Sequence, residues 1–387
     1  MSVSGDHSSE RAVISAYCVS HAIARGRSQQ QQQPCQHLPS PRPSASRLAS
    51  SLNEAPYCLK SFVEEAAFRR KEETVLYLAY GSNLAARKFK GERGIKPLSQ
   101  INVQVPSLRM TFDLPGVPYS EPCFANSARR DPNNDPPKEG AATKYDEKSA
   151  LLGQSVKEQD YRKNRWHKGM IGVVYEVTPE DYAHIIATEG GGSAYQDILV
   201  ACHPLDSSDP DAPVPQDPFL PPFKAHTLFA PAEPEGDEPE HHLRRPDPDY
   251  AQASARYLKL ITDGAAECNL PYEYQDYLLS LQPYTITTKK QRMGQIAFTA
   301  TWVPIVILLF TFAKMFTDKN GQLPTWAKKM FATVFQAVWT SYDNAYKPLF
   351  GDGERTLGDS PDENGSARSP QTSRRRERRS DVEKSPV

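Results

Sequence analysis

Between residues 74 and 284 the spacing of hydrophobic positions changes several times, and each change marks an element. Thr74–Tyr80 is an almost unbroken apolar and aromatic run, which predicts a buried strand that stops at Gly81. Leu108–Leu114, Ile171–Val177, Ile198–Ala201 and Lys224–Phe229 read as further strands. Over Pro179–Glu189 a helical period takes over, with Tyr182, Ile185 and Ile186 on one face. Thr178 is placed to cap that helix, Pro179 suits its first position, and Gly190–Gly192 ends it. Asp249–Gly264 and Pro271–Leu281 read as two more helices. A short one over Leu84–Phe89 is capped by Ser82 or Asn83. Leu205–Asp217 and Glu233–Glu240 read as surface loops, and Arg129–Lys163 as a long polar insertion.

The pattern fades toward both ends. Residues 1–70 read as a disordered tail with a glutamine run at Gln29–Gln33 and a Ser/Pro-rich stretch, except for a short helix over Phe62–Arg70. Residues 71–286 form the domain proper, residues 287–350 a hydrophobic helical segment, and residues 351–387 a second disordered tail. That tail carries the basic cluster Arg374–Arg379, either a solvated charge run or a contact for anionic lipid. In the hydrophobic segment, Ile296–Ala313 runs 18 residues without a charge and contains Pro304. This is the lower edge of what crosses a bilayer. A helix buried against the preceding domain and an amphitropic helix are the other readings. Apolarity on all sides, together with a domain that reads as complete by Tyr284, favours membrane association through residues 296–316 as a single transmembrane span, with Phe331–Trp339 in the interface or packed on the first helix. Basic residues on both sides leave the orientation open.

Composition adds mainly exclusions. A formal net charge of −1 over 387 residues gives no global pull toward nucleic acid. The six cysteines are scattered, with no zinc or redox spacing, and the nine histidines include no HExxH. Neither a metal nor a cofactor is called for. Met1–Tyr17 is too polar for a secretory leader, which places the domain in the cytosol, membrane-associated or free in the cytoplasm. Oligomeric state is not legible.

Two features carry candidate chemistry. A strand that ends in Gly81, Ser82 and Asn83 leaves backbone N–H groups aimed at one spot, suited to a carboxylate or phosphate. It is not a phosphate loop, because GxxxxGK and GxGxxG are absent, and GxSxG is absent too. Glu189 lies on the apolar face of its helix, at the inner end beside the glycines. It is either a shielded carboxylate that moves a proton or a helix-terminal Glu turned to water.

The stretch Tyr80–Leu84 (YGSNL) resembles the signature of the gamma-glutamylcyclotransferase family. Pro122–Asn126 (PCFAN), Trp166–Tyr175 (WHKGMIGVVY), Glu189–Gly190 with Tyr195 downstream, Pro222–Leu228 (PFKAHTL) and Tyr257–Pro271 follow as further landmarks in order. The resemblance spans about Thr74 to Tyr284. It implies an α+β fold: a small mixed β-barrel with flanking helices, here followed by a C-terminal hydrophobic helix. It also implies Glu189 as the catalytic acid/base, and Tyr80, Gly81, Ser82, Asn83 and Leu84 as the substrate-binding loop. Tyr195 is implied as a further binding residue. The implied reaction closes a γ-glutamyl group to 5-oxoproline and releases an amino acid or amine, without cofactor or metal. The long insertions bear on which leaving group is accepted. A non-catalytic module that binds the same small molecule at a membrane is the alternative.

Overall fold

The computed structural model describes residues 41–66, 73–130, 166–189, 195–205, 209–230, 250–315 and 325–357. Seven strands are described: β1 (Val75–Ala79), β2 (Ser99–Val105), β3 (Leu108–Val117), β4 (Glu121–Arg129), β5 (Met170–Val177), β6 (Gln196–Pro204) and β7 (Phe223–Phe229). Five of them close a barrel in the order β1-β5-β2-β6-β7, while β3 and β4 form a separate antiparallel ribbon. The barrel is mixed. β1 runs antiparallel to β5 and parallel to β7, where Tyr77 pairs with His226. Strands β1 and β5 are buried on both faces, which is why β1 reads as a continuous apolar run; β5, read from an alternating β-branched pattern, is in fact buried on both sides.

The helices of seven residues or more are α1 (Ala45–Ser51), α2 (Leu59–Glu65), α3 (Pro179–Thr188), α4 (Ala255–Glu267), α5 (Tyr272–Leu279), α6 (Lys289–Met315) and α7 (Thr325–Ser341). Thr178 caps α3 by accepting from Asp181 N, and Ser254 caps α4 in the same way from Tyr257 N. The α4 start predicted at Asp249 therefore moves to the Ser254 cap. The short helix predicted after Gly81 is instead a 3₁₀ turn at Ser82–Leu84 followed by a π-helical stretch at Arg87–Glu92. Neither Ser82 nor Asn83 caps it. Strands β2 and β4 were absent from the sequence reading: β4 shows neither a long apolar run nor a clean alternation, whereas Ile101, Val103 and Val105 of β2 alternate with Gln100, Asn102 and Gln104, a strand signal that the reading missed.

Residues 41–66 correct the expectation of a disordered tail to residue 70. Arg47 donates to Thr74 O at 2.7 Å and pairs with Glu54 at 2.8 Å, while Phe62 is fully buried. A polar, Ser/Pro-rich stretch folds here because the barrel supplies partners for its charges and a seat for its rings. Residues 1–40 lie outside the described residues, as do 131–165, Gly190–Gly192, His241–His242 and Arg374–Arg379.

The C-terminal segment also departs from the reading. Helix α6 packs Phe298, Trp302 and Val306 against Phe335, Val338 and Trp339 of α7 and against Tyr119 at the tip of the β3–β4 ribbon. The domain boundary drawn at residue 286 is bridged by these contacts. Residues 351–357, expected to belong to a disordered tail, are packed as well. Tyr119 N–H donates to Gly353 O at 2.7 Å, Gln252 N–H donates to Glu354 O at 2.8 Å, and Asp352 and Glu354 are buried. These bonds are non-local and leave no periodic mark in the sequence.

Candidate active site

Strand β1 carries Tyr77 at its centre and ends at Ala79, and Tyr80 and Gly81 follow directly. The turn that follows is held from outside by α4. At Gly264 a Cβ would lie 2.4 Å from Ala85 N and 2.5 Å from Leu84 C, so only glycine lets the helix approach this closely. Glu267 accepts from Ala86 N at 2.7 Å, pinning the same turn. Gly81 itself sits beside Ala125 of β4 and Tyr257 of α4. A Cβ there would meet Ala125 at 3.4 Å, an ordinary contact at negative φ. Among the described residues nothing stands closer than 3.4 Å to such a Cβ.

Helix α3 brings Glu189 to the turn from the other side. Tyr182, Ile185 and Ile186 are buried, as their shared face predicts, and Glu189 closes the helix at its C-cap. The Glu189 side chain is 21% exposed, so it turns neither fully to water nor fully into the core. Asn83 Nδ2 donates to Glu189 Oε1 at 2.8 Å, joining two residues 106 positions apart. The same Asn83 nitrogen donates to Tyr77 Oη at 2.9 Å. Arg93, whose side chain is 8% exposed, donates to Glu189 Oε1 at 2.5 Å and also bonds Thr188 Oγ1. Burial of the carboxylate is thus compensated by a guanidinium and an amide.

Tyr77 and Tyr80 both register this charge. Burial pushes both phenols up, and the Glu189 carboxylate adds to the shift. Both therefore stay protonated near neutrality. Leu84 N–H is spent within the turn, on Gly81 O at 3.0 Å. Tyr195 stands immediately before β6, partly buried against the core. Among the described residues no group of His, Cys, Asp and Glu could hold a metal ion.

Arg93 and Tyr77 were absent from the sequence reading. Arg93 ends the π-helical stretch in a polar context with nothing local to single it out. Tyr77 lies inside an apolar strand, where a tyrosine reads as core.

Residues 288–349 match the model of the AclK C-terminal domain family, which covers α6 and α7. The solved structure of a gamma-glutamyl cyclotransferase overlays 56% of this chain and 93% of its own at 18% identity and a TM-score of 0.34. Gamma-glutamyl cyclotransferase aclK of Aspergillus oryzae is 26% identical over 295 residues, which is 73% of this chain and 91% of the relative. Gamma-glutamyl cyclotransferase gliK of Aspergillus fumigatus is 31% identical over 295 residues, 75% of this chain and 93% of the relative. On that similarity, carried over nearly the full length of the relative, the chain belongs to the gamma-glutamyl cyclotransferase family.

Proposed function

We propose that this chain converts a small γ-glutamyl compound to 5-oxoproline and a free amino acid or amine, with Glu189 as acid/base. The observation that carries the reading is the 2.8 Å hydrogen bond between Asn83 and Glu189, which puts a half-shielded carboxylate next to the Gly81–Leu84 turn. The substrate's α-carboxylate is held by the N–H groups of Gly81, Ser82 and Asn83. Glu189 takes a proton from the α-amine, and the freed lone pair attacks the γ-carbonyl of the same residue. The ring closes, the γ C–N bond breaks, and protonated Glu189 returns its proton to the leaving nitrogen. No water is consumed. The nucleophile is tethered, so placement and one proton carrier supply most of what the reaction needs. Tyr80 shapes the pocket floor, and Tyr195 lines its rim.

The test offers γ-glutamyl-alanine, glutathione and γ-glutamyl-lysine and measures 5-oxoproline. Release from at least one, with a loss of about 10²- to 10⁴-fold in Glu189→Gln, supports the reading. If none releases product while the protein is folded, the chain is a binding module.

We also propose that α6 associates with a membrane through one side. Lys289–Leu309 is long and apolar enough to cross a bilayer. Its inner side is committed to α7 and Tyr119, whereas Ile296, Ile305, Ile307, Leu308 and Phe312 remain exposed. Several exposed large apolar residues on one helix favour lipid contact over water.

A further inference from the structure

Helices α6 and α7 and the tip of the β3–β4 ribbon enclose a cavity of about 170 Å³. Its deep wall is apolar: Phe298 and Leu309 of α6 and Phe331, Phe335 and Val338 of α7 are all buried. A void of this size is unfavourable when empty, because every wall forfeits dispersion contacts. An apolar cavity of about 150 Å³ accepts benzene, so this one has room for roughly six to eight carbons of a single chain. Its lining follows α6 from Phe298 to Leu309, about 16 Å of helix, which suits a chain better than a disc.

Polarity changes along that length. Glu121 is the one charged side chain in the lining, and it is already committed. It is buried, bonded to Ser254 Oγ, and accepts from Arg256 Nε at 2.9 Å. At the ribbon end the lining carries two exposed hydroxyl residues, Ser120 and Thr299. Arg292 belongs to the same end. It precedes Thr299 by about two helical turns and shares its side of α6. Its Nη1 donates to Gln295 Oε1 at 3.1 Å, and Gln295 Nε2 donates to Tyr119 O at 2.8 Å, one residue before Ser120. Among the described residues no carboxylate pairs with this guanidinium. A cation outside, hydroxyls at the mouth and hydrocarbon beyond them complement an amphiphile with an anionic head.

We propose that this cavity takes the alkyl chain of a free, single-chain carboxylate amphiphile. The carboxylate pairs with Arg292, and the chain runs past Thr299 toward Leu309. A bilayer lipid brings two chains, and the cavity has room for one. The site lies on the inner side of α6, apart from the exposed residues proposed to meet a bilayer. It depends neither on that contact nor on the γ-glutamyl reading.

The test titrates the full chain, by calorimetry, with monomeric hexanoate, octanoate, decanoate, decanol and decyltrimethylammonium, and with phosphatidylglycerol vesicles. Decanoate should saturate at one per chain and bind more tightly than the trimethylammonium of equal length. From hexanoate to decanoate each CH₂ should tighten binding about fourfold. Arg292→Gln should weaken decanoate about 2- to 5-fold and leave decanol unchanged. Val306→Phe, which fills the cavity, should weaken decanoate and decanol alike, by about tenfold or more. A melting curve checks the fold of each variant. If Val306→Phe is unfolded, Val334→Leu replaces it, with an expected loss of about fourfold. Absence of saturable binding, equal affinity for the two charged heads, decanoate unchanged in Arg292→Gln or in the filled variant, or binding to vesicles alone would overturn the proposal.

Discussion

The ring of Tyr57 lies flat on that of His226, with centroids 4.2 Å apart and planes 5° from parallel. This contact seats the N-terminal segment on β7. Around it, His226 Nδ1 bonds Asp197 Oδ2 at 2.7 Å and Nε2 bonds Glu54 Oε2 at 3.0 Å. Asp197 also accepts from Tyr57 N at 2.7 Å and from Tyr182 Oη at 2.6 Å. One buried carboxylate therefore joins the N-terminal segment, the barrel and α3, the helix that carries Glu189.

This cluster makes stability depend on pH. Burial pulls the His226 pKa down, but its bonds to Asp197 and Glu54 outweigh it, and the net shift is upward from 6.5. For Glu54, burial raises the pKa, but the bond to His226 and the charge of Arg47 outweigh it, and the net shift is downward from 4.5. The His226 contribution is complete below its unfolded value and fades as pH rises through the folded one. The Glu54 contribution is complete above its unfolded value and fades as pH falls through the folded one. The clamp is strongest between 4.5 and 6.5. The melting temperature should fall from about pH 6 to about pH 9, and His226→Gln should flatten that slope. Equal slopes in the two proteins would exclude the cluster as the source.

Arg93 should matter to turnover more than to folding. Arg93→Met removes the donors that hold Glu189 Oε1 and Thr188 Oγ1. The carboxylate then keeps only Asn83 as a described partner, and a displaced base costs up to about 100-fold in rate. Steady-state assays should show the loss mainly in kcat, with melting shifted by only a few degrees. An unchanged kcat would remove Arg93 from the site.

Gly264→Ala tests whether α4 holds the turn. The new methyl would overlap the backbone at Leu84 and Ala85, where no side-chain motion relieves it. Overpacking of this kind costs about 1–3 kcal/mol. The 5-oxoproline assay should fall together with stability, since the displaced atoms belong to the substrate loop. Full stability would mean that the helix can retreat without cost.

Leu308→Lys addresses the membrane. Leu308 is 70% exposed on the outer side of α6, away from the α7 contact. A charge there is neutral for folding in water and unfavourable in lipid. Flotation with vesicles should recover wild type and lose the variant. If neither protein floats, the outer side of α6 does not bind lipid.

Much of the barrel was legible in the chain. Val75–Ala79 and Met170–Val177 are buried on both faces; the continuous apolar run of the first follows directly from that environment, and the second stood out by its alternating β-branched residues. The cap of α3, its buried side and the stop at Glu189 follow from local rules that operate within a few residues. Tyr80–Leu84 and Glu189 stood out for the same reason, since a broken strand and a carboxylate on an apolar face are local anomalies. Tertiary structure alone decided the rest. Arg93 and Tyr77 acquire their partners across the fold, and a polar residue at a helix end or a tyrosine in a strand carries no mark of that. The N-terminal helices and residues 351–357 are polar in composition, yet they are ordered because the barrel and the ribbon tip offer partners for their charges and backbone groups. Local sequence specifies what a segment prefers when alone. Satisfaction of buried polar groups is a non-local condition, and it can be read only once the segments are brought together.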